Sequence, residues 1–224
     1  MTTRADRSRG MPRRTTVETA PRTNRTPLLL VGGGILLLVV VAAVAALLLS
    51  GGGGGLREPA TTPIAISGNP LPAYDPNTSD TALGQPIPTL TGTDLSAQPM
   101  TIGPDQGPMA IVVLAHWCHV CQAEVPQLVD WLSTNQVPEG VKIVTLTTSI
   151  TPTAQNYPPS TWLDREGWTA PTMVDDGNSR GLDALGISAF PGFVFVDADG
   201  RVVQRVTGQL PAETFGQMLQ AIAP

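Results

Sequence analysis

Only two cysteines occur in the 224 residues, Cys118 and Cys121, with two residues between them. A disulfide-stapled framework is therefore excluded, and the two thiols are each other's natural partners. Histidine is equally scarce: His116 and His119 lie beside the cysteines and none lies elsewhere, which leaves a dispersed histidine metal site without ligands. Basic residues are few beyond residue 50, six against sixteen acidic ones. That acidic part is no nucleic-acid binder. No internal repeat breaks the chain into modules.

What is present is strongly segmented. Residues 1–27 carry Arg4, Arg7, Arg9, Arg13, Arg14, Arg22 and Arg25 against Asp6 and Glu18, and read as a disordered basic tail. Leu28 to Leu49 is a run of 22 residues without charge, long enough at about 1.5 Å per residue to cross a hydrocarbon core about 30 Å thick. This predicts a single transmembrane helix, in lipid the only solution for an isolated segment. A cleaved signal peptide fits less well, because the apolar run exceeds the usual 7 to 15 residues or so and lacks an A-x-A-like end. Basic residues before the span place the N-terminus in the cytoplasm and the C-terminal domain outside the cell membrane. Residues 50–82, rich in glycine and then proline, predict a flexible tether.

The globular text begins near residue 83. Met109 to Ala115 and Val141 to Thr147 predict buried strands, and Val125, Leu128, Val129 and Leu132 between them recur at helical spacing. That is a parallel βαβ unit. Further elements are predicted as a helix at Ser160 to Glu166, a strand at Thr172 to Val174 and a helix at Ser179 to Leu185. A hairpin of Phe193 to Asp197 with Arg201 to Thr207 turns at Asp199-Gly200, and a closing helix runs from Thr214 to Ile222. The class is α/β, a mixed central sheet with helices on both faces.

Cys118 directly follows a buried strand and opens a helix, where unpaired backbone N–H groups and the helix dipole stabilise a thiolate. Cys121, nearly one turn on, shares its helical face with Val125 and Leu128 and is sheltered. These positions assign Cys118 as the attacking sulfur and Cys121 as the resolving one in thiol-disulfide exchange with protein substrates, a chemistry that needs no organic cofactor or metal. Glu124, three residues past Cys121, either relays the proton of Cys121 or complements the helix dipole. His119 either stabilises the thiolate or is an exposed first-turn residue, and Trp117 either shields the site or packs. His116 reads as a solvent-side loop residue.

Trp117-Cys118-x-x-Cys121 followed by Pro126, with Phe190-Pro191 ahead of a strand, resembles the thioredoxin superfamily. The resemblance implies that Pro126 kinks the active-site helix and that a cis Pro191, with Phe190, flanks the dithiol and helps bind substrate backbone. Glu124-Val125-Pro126, an N-terminal hairpin within Gly84 to Gly107 and the extra helix and strand between Thr147 and Ser179 are similar to the membrane-anchored TlpA/ResA-like branch. That branch acts in extracytoplasmic disulfide exchange, often in cytochrome c maturation. One position departs: where ordinary thioredoxins carry a buried aspartate, Val112 stands, so the proton relay falls to Glu124 or water.

Three alternatives stand beside a disulfide reductase. A DsbA-like oxidase would use the same dithiol in the other direction. A copper or zinc carrier would use His116, Cys118, His119 and Cys121, although four ligands within six residues at a strand-helix junction converge poorly on one ion. A fold-only binding module would leave the intact dithiol unexplained. The span from Leu28 to Leu49 contains no cysteine, so exchange outside the membrane requires a separate membrane redox partner.

Overall fold

The computed structural model describes residues 63–224. The basic tail, the membrane span and the first part of the tether expected for residues 1–62 lie outside the described residues. Among the described residues, no helix is long and apolar enough to cross a membrane.

The strand predicted at Met109 forms as Met109–Leu114 with all six side chains buried, the signature of a central strand covered on both faces. Numbered along the chain, this is β4. Before it come β1 (Ala65–Ser67), β2 (Thr89–Asp94) and β3 (Pro99–Ile102); after it come helix α1 (His119–Thr134) and β5 (Lys142–Thr147). The extra helix and strand follow as α2 (Pro159–Arg165) and β6 (Thr172–Val174), and after them comes α3 (Arg180–Ala184). The chain ends with β7 (Gly192–Val196), β8 (Val202–Thr207) and α4 (Ala212–Ala221).

The strands make one mixed sheet in the order β1-β2-β6-β5-β4-β7-β8, with β3 paired to β2. β4 runs parallel to β5 and antiparallel to β7, in register from Met109↔Lys142 to Leu114↔Thr147 on one side and from Met109↔Val196 on the other. The βαβ unit is therefore present, and the β7–β8 hairpin is antiparallel as its turn signal predicts.

Alternation along β4 divides the core in two. Met109, Ile111 and Val113 enter one apolar cluster, and Ala110, Val112 and Leu114 the other. Val125 and Leu128 of α1, Trp162 and Leu163 of α2, and Phe215 and Leu219 of α4 fill the second cluster. The two long helices meet closely: a Cβ on Gly216 of α4 would fall 2.3 Å from Trp131 of α1, so only glycine fits.

The first cluster is covered differently. Among the described helices only α3, through Leu182 and Ala184, reaches it; Leu185 and Ile187 just after it and Ile64, Leu71, Ala82 and Ile87 before β2 add to the cover. This corrects the boundary expected at residue 83. Residues 64–82 include too few large apolar groups to form a core alone, but each of these groups is inserted into a core built elsewhere. The backbone is pinned as well, with Leu71 N–H on the Ala184 carbonyl at 2.9 Å and Tyr74 N–H on that of Gly186 at 2.8 Å. Buried Arg205 of β8 completes the attachment, donating from Nε to Asp80 Oδ2 at 2.9 Å and from Nη1 to the Pro72 carbonyl at 2.8 Å.

Candidate active site

β4 ends at Leu114, and the chain turns through residues 115–117 into α1 with Cys118 as the helix N-cap. Cys118 adopts extended backbone angles, φ −73° and ψ 116°, and its Sγ accepts the Cys121 N–H at 3.3 Å. A thiol here takes the role that serine or aspartate takes in other helices, receiving a backbone N–H that has no helical partner. The same Sγ lies 3.7 Å from the Phe190 carbonyl oxygen, which can accept its proton. Both cysteines are free thiols.

Cys121 is fully buried, whereas Cys118 keeps 9% of its surface. Burial, reinforced by the neighbouring Cys118 sulfur, pushes the Cys121 thiol far above its ordinary range. Only Cys118 offers an approach to another molecule.

Phe190 and Pro191 sit opposite, joined by a cis peptide bond. The Trp117 ring packs edge-on against Phe190 with centroids 5.8 Å apart, while its indole N–H donates to the Ser149 carbonyl at 2.7 Å. Trp117 thus both packs and bridges the loops flanking Cys118. Pro126 lies inside α1 on its exposed side, where its missing N–H leaves the Gln122 carbonyl without its helical donor.

Glu124 is buried on the same helical face as Cys121 and Val125, 1% exposed. One carboxylate oxygen accepts the Leu210 N–H at 3.1 Å, and the other has no hydrogen-bond partner within the protein. Burial raises its pKa above the ordinary 4.5, with the Leu210 bond opposing. A helix dipole contributes about 0.3 to 1 kcal/mol at such a position, less than the desolvation of an incompletely paired carboxylate costs, so dipole complementation does not account for its placement.

His119 is exposed, and its Nε2 lies 3.1 Å from the Gln155 side-chain nitrogen. The contact ties the ring to the loop that carries Gln155. His116 overturns its sequence reading as a solvent-side residue. It is fully buried, with Nδ1 2.8 Å from the Gln155 carbonyl and Nε2 accepting the Thr151 N–H at 3.1 Å. The reason is the loop of residues 149–157, which folds back over the active-site turn and closes over the ring. Sequence reasoning missed this loop and the Leu210 contact; neither carries a local motif, and only the position of His116 beside Trp117-Cys118 hinted at the first.

Both His116 ring nitrogens are engaged, which removes His116 from any shared ligand set with the cysteines. Among the described residues, no group of three or more His, Cys, Asp or Glu side chains is placed to hold a metal ion.

A family model described as a thioredoxin-like domain matches residues 95–223, more than half of the chain. The chain belongs to the thioredoxin-like family. Thiol-disulfide oxidoreductase ResA of Bacillus thuringiensis (strain Al Hakam) is 24% identical over 144 residues, covering 63% of this chain and 79% of that protein. ResA of Geobacillus thermodenitrificans is 28% identical over 108 residues, covering 48% and 59%. Among solved structures, a thiol:disulfide interchange protein of the thioredoxin family from Chlorobium tepidum TLS aligns with TM-score 0.51 at 19% identity, covering 62% of this chain and 96% of that one. A DsbF homologue from Corynebacterium diphtheriae aligns with TM-score 0.51 at 13% identity, covering 74% and 96%. The structural likenesses bear on the fold alone. The ResA relatives support the likeness to the TlpA/ResA-like branch and an oxidoreductase activity.

Proposed function

We propose that the protein is a membrane-anchored thiol-disulfide oxidoreductase that reduces disulfides of protein substrates outside the cytoplasm, with Cys118 as the attacking sulfur and Cys121 as the resolving one. The observation that carries this reading is the asymmetry of the pair: Cys118 is at the surface edge with its sulfur on a helix N-terminal N–H, and Cys121 is sealed with its thiol held protonated.

In the reductive direction the Cys118 thiolate attacks one sulfur of a substrate disulfide, forming a mixed disulfide and expelling the other sulfur as a thiolate. Cys121 then loses its proton and attacks Cys118, releasing the second substrate sulfur and closing the Cys118–Cys121 disulfide. The substrate has gained two electrons and, once protonated, two thiols. Glu124 suits the proton transfer because a carboxylate with a raised pKa and one open oxygen is a better base than an exposed one. Phe190 and Pro191 form the wall against which the substrate strand lies, Trp117 and His119 shape its rim, and Pro126 bends α1 behind it. The two thiols carry all the electrons, so no cofactor enters.

Reduction is the direction proposed because the thiol-disulfide oxidoreductases this chain resembles are of the ResA type. Anchoring, cell-membrane location and external orientation rest on the span from Leu28 to Leu49 and the arginines before it. Participation in cytochrome c maturation rests on the ResA-like resemblance. Regeneration of the dithiol requires a separate membrane redox partner, since the span itself has no cysteine.

The equilibrium potential of the couple in the full chain tests the direction. A reductase is expected near the thioredoxin end of the family range, about −270 mV; a value near about −120 mV would make the protein an oxidase.

A further inference from the structure

His116 and the loop over it have no part in the exchange steps above, yet they are bound together more closely than ordinary packing requires. The Thr151 N–H can only donate, so His116 Nε2 accepts; the Gln155 carbonyl can only accept, so Nδ1 carries the proton. Only the neutral Nδ1–H tautomer satisfies both bonds. Desolvation favours that neutral form, although the bond to Gln155 opposes it.

The turn and the loop are joined at further points. The His116 carbonyl accepts from the Gln122 side chain at 3.0 Å and the Asn156 side chain at 3.4 Å, and the Trp117 indole donates to the Ser149 carbonyl. Tyr157 packs edge-on to the His116 ring at 5.9 Å. Ser149 and Asn156 near the two ends of the loop have positive φ, 51° and 60°. Non-glycine residues hold that conformation only where the surroundings enforce it, and such strain gathers at functional sites. The outer side of the loop is free: Thr151, Pro152, Thr153 and Gln155 are exposed, and the Gln155 side chain reaches His119, the residue after the attacking sulfur.

We propose that His116 is a positioning residue that fixes residues 149–157 as one wall of the substrate groove, so that this loop selects among protein disulfides by what flanks them. This rests on the dithiol-exchange reading. The loop touches Trp117 and His119, the residues on either side of Cys118, and Trp117 packs on Phe190, so a protein substrate meets the loop while a small disulfide reaches Cys118 without it.

The test compares the full chain with His116→Leu and His116→Gln, using insulin as the protein disulfide and dithiobis(nitrobenzoate) as the small one. His116→Leu is expected to lower kcat/KM for insulin about tenfold more than for the small disulfide, chiefly through KM, as loss of a hydrogen-bonded anchor would. His116→Gln, whose amide offers one donor and one acceptor, is expected to recover most of that difference. Equal losses on both substrates, no loss on either, or no recovery in His116→Gln would overturn the proposal. Nitrogen NMR of the unmodified chain is expected to show His116 as the Nδ1–H tautomer, and the Nε2–H tautomer would overturn it whether or not the variants fold. A wild-type chain that turns over neither disulfide would instead defeat the exchange reading itself.

Discussion

The surroundings of the dithiol and the attachment of residues 64–82 handle buried ionisable groups in opposite ways. At the dithiol, the environment pushes Cys121 and Glu124 up and His116 down, each toward its neutral form. At the N-terminal attachment the charged forms are kept: Arg205 is fully buried, and its hydrogen bonds hold the Asp80 carboxyl below the ordinary 3.8. The Arg205 guanidinium also lies over the Tyr74 ring and reaches the Leu185 carbonyl at 3.1 Å. A fixed, fully partnered charge anchors structure, whereas groups poised near neutrality can exchange protons during a reaction. One molecule thus separates the charge it uses for fastening from the neutral groups it packs around its thiols.

The largest effect that would break this contrast is at the attachment. Arg205→Met removes one partner and leaves the Asp80 carboxylate with its counter-charge gone, which is expected to destabilise the fold by about 3 to 5 kcal/mol in denaturant melts. The sign with pH follows from Asp80. Its lowered pKa means that its stabilising contribution is present above 3.8 and is lost as pH falls through the lower folded value. Arg205→Met should therefore weaken the loss of stability on acidification below that point, and an unchanged acid slope would show the pair contributes little.

Glu124→Gln sharpens the contrast with a smaller effect of opposite sign. Because burial raises the Glu124 pKa, the wild type loses stability as pH rises above 4.5 through the raised value, the reverse of Asp80. The amide keeps an acceptor for the Leu210 N–H and carries no charge, so the variant is expected to be more stable at neutral pH by about 1 kcal/mol. Its resolving step is expected to slow about a hundredfold, as loss of a general base does. Greater stability with undiminished resolution would leave Glu124 a structural residue.

Much of this was legible in the sequence because it is local. The buried run Met109–Leu114 announces a central strand, the apolar spacing after it announces α1, and the junction between them announces a cysteine at a helix N-terminus. Pro191 could be placed only through its resemblance to a family pattern, since no local signal links it to a cysteine more than 70 positions earlier. The failures were long-range. Leu71 and Ile64 look like stray apolar residues in a proline-rich stretch until the Ala184 carbonyl, the Arg180 guanidinium and the apolar cluster provide what they bind to. His116 looked exposed because the chain that buries it lies some 40 residues onward, in a loop whose composition gives no warning.

The most direct test of the central claim is which cysteine is captured by substrate. In the full chain, Cys121→Ala mixed with a disulfide-bonded protein is expected to accumulate a stable mixed disulfide at Cys118, identified by mass spectrometry after acid quench, while Cys118→Ala accumulates none. Capture at Cys121 in the Cys118→Ala chain, at a rate comparable to that at Cys118, would contradict the division between an accessible attacking sulfur and a sealed resolving one.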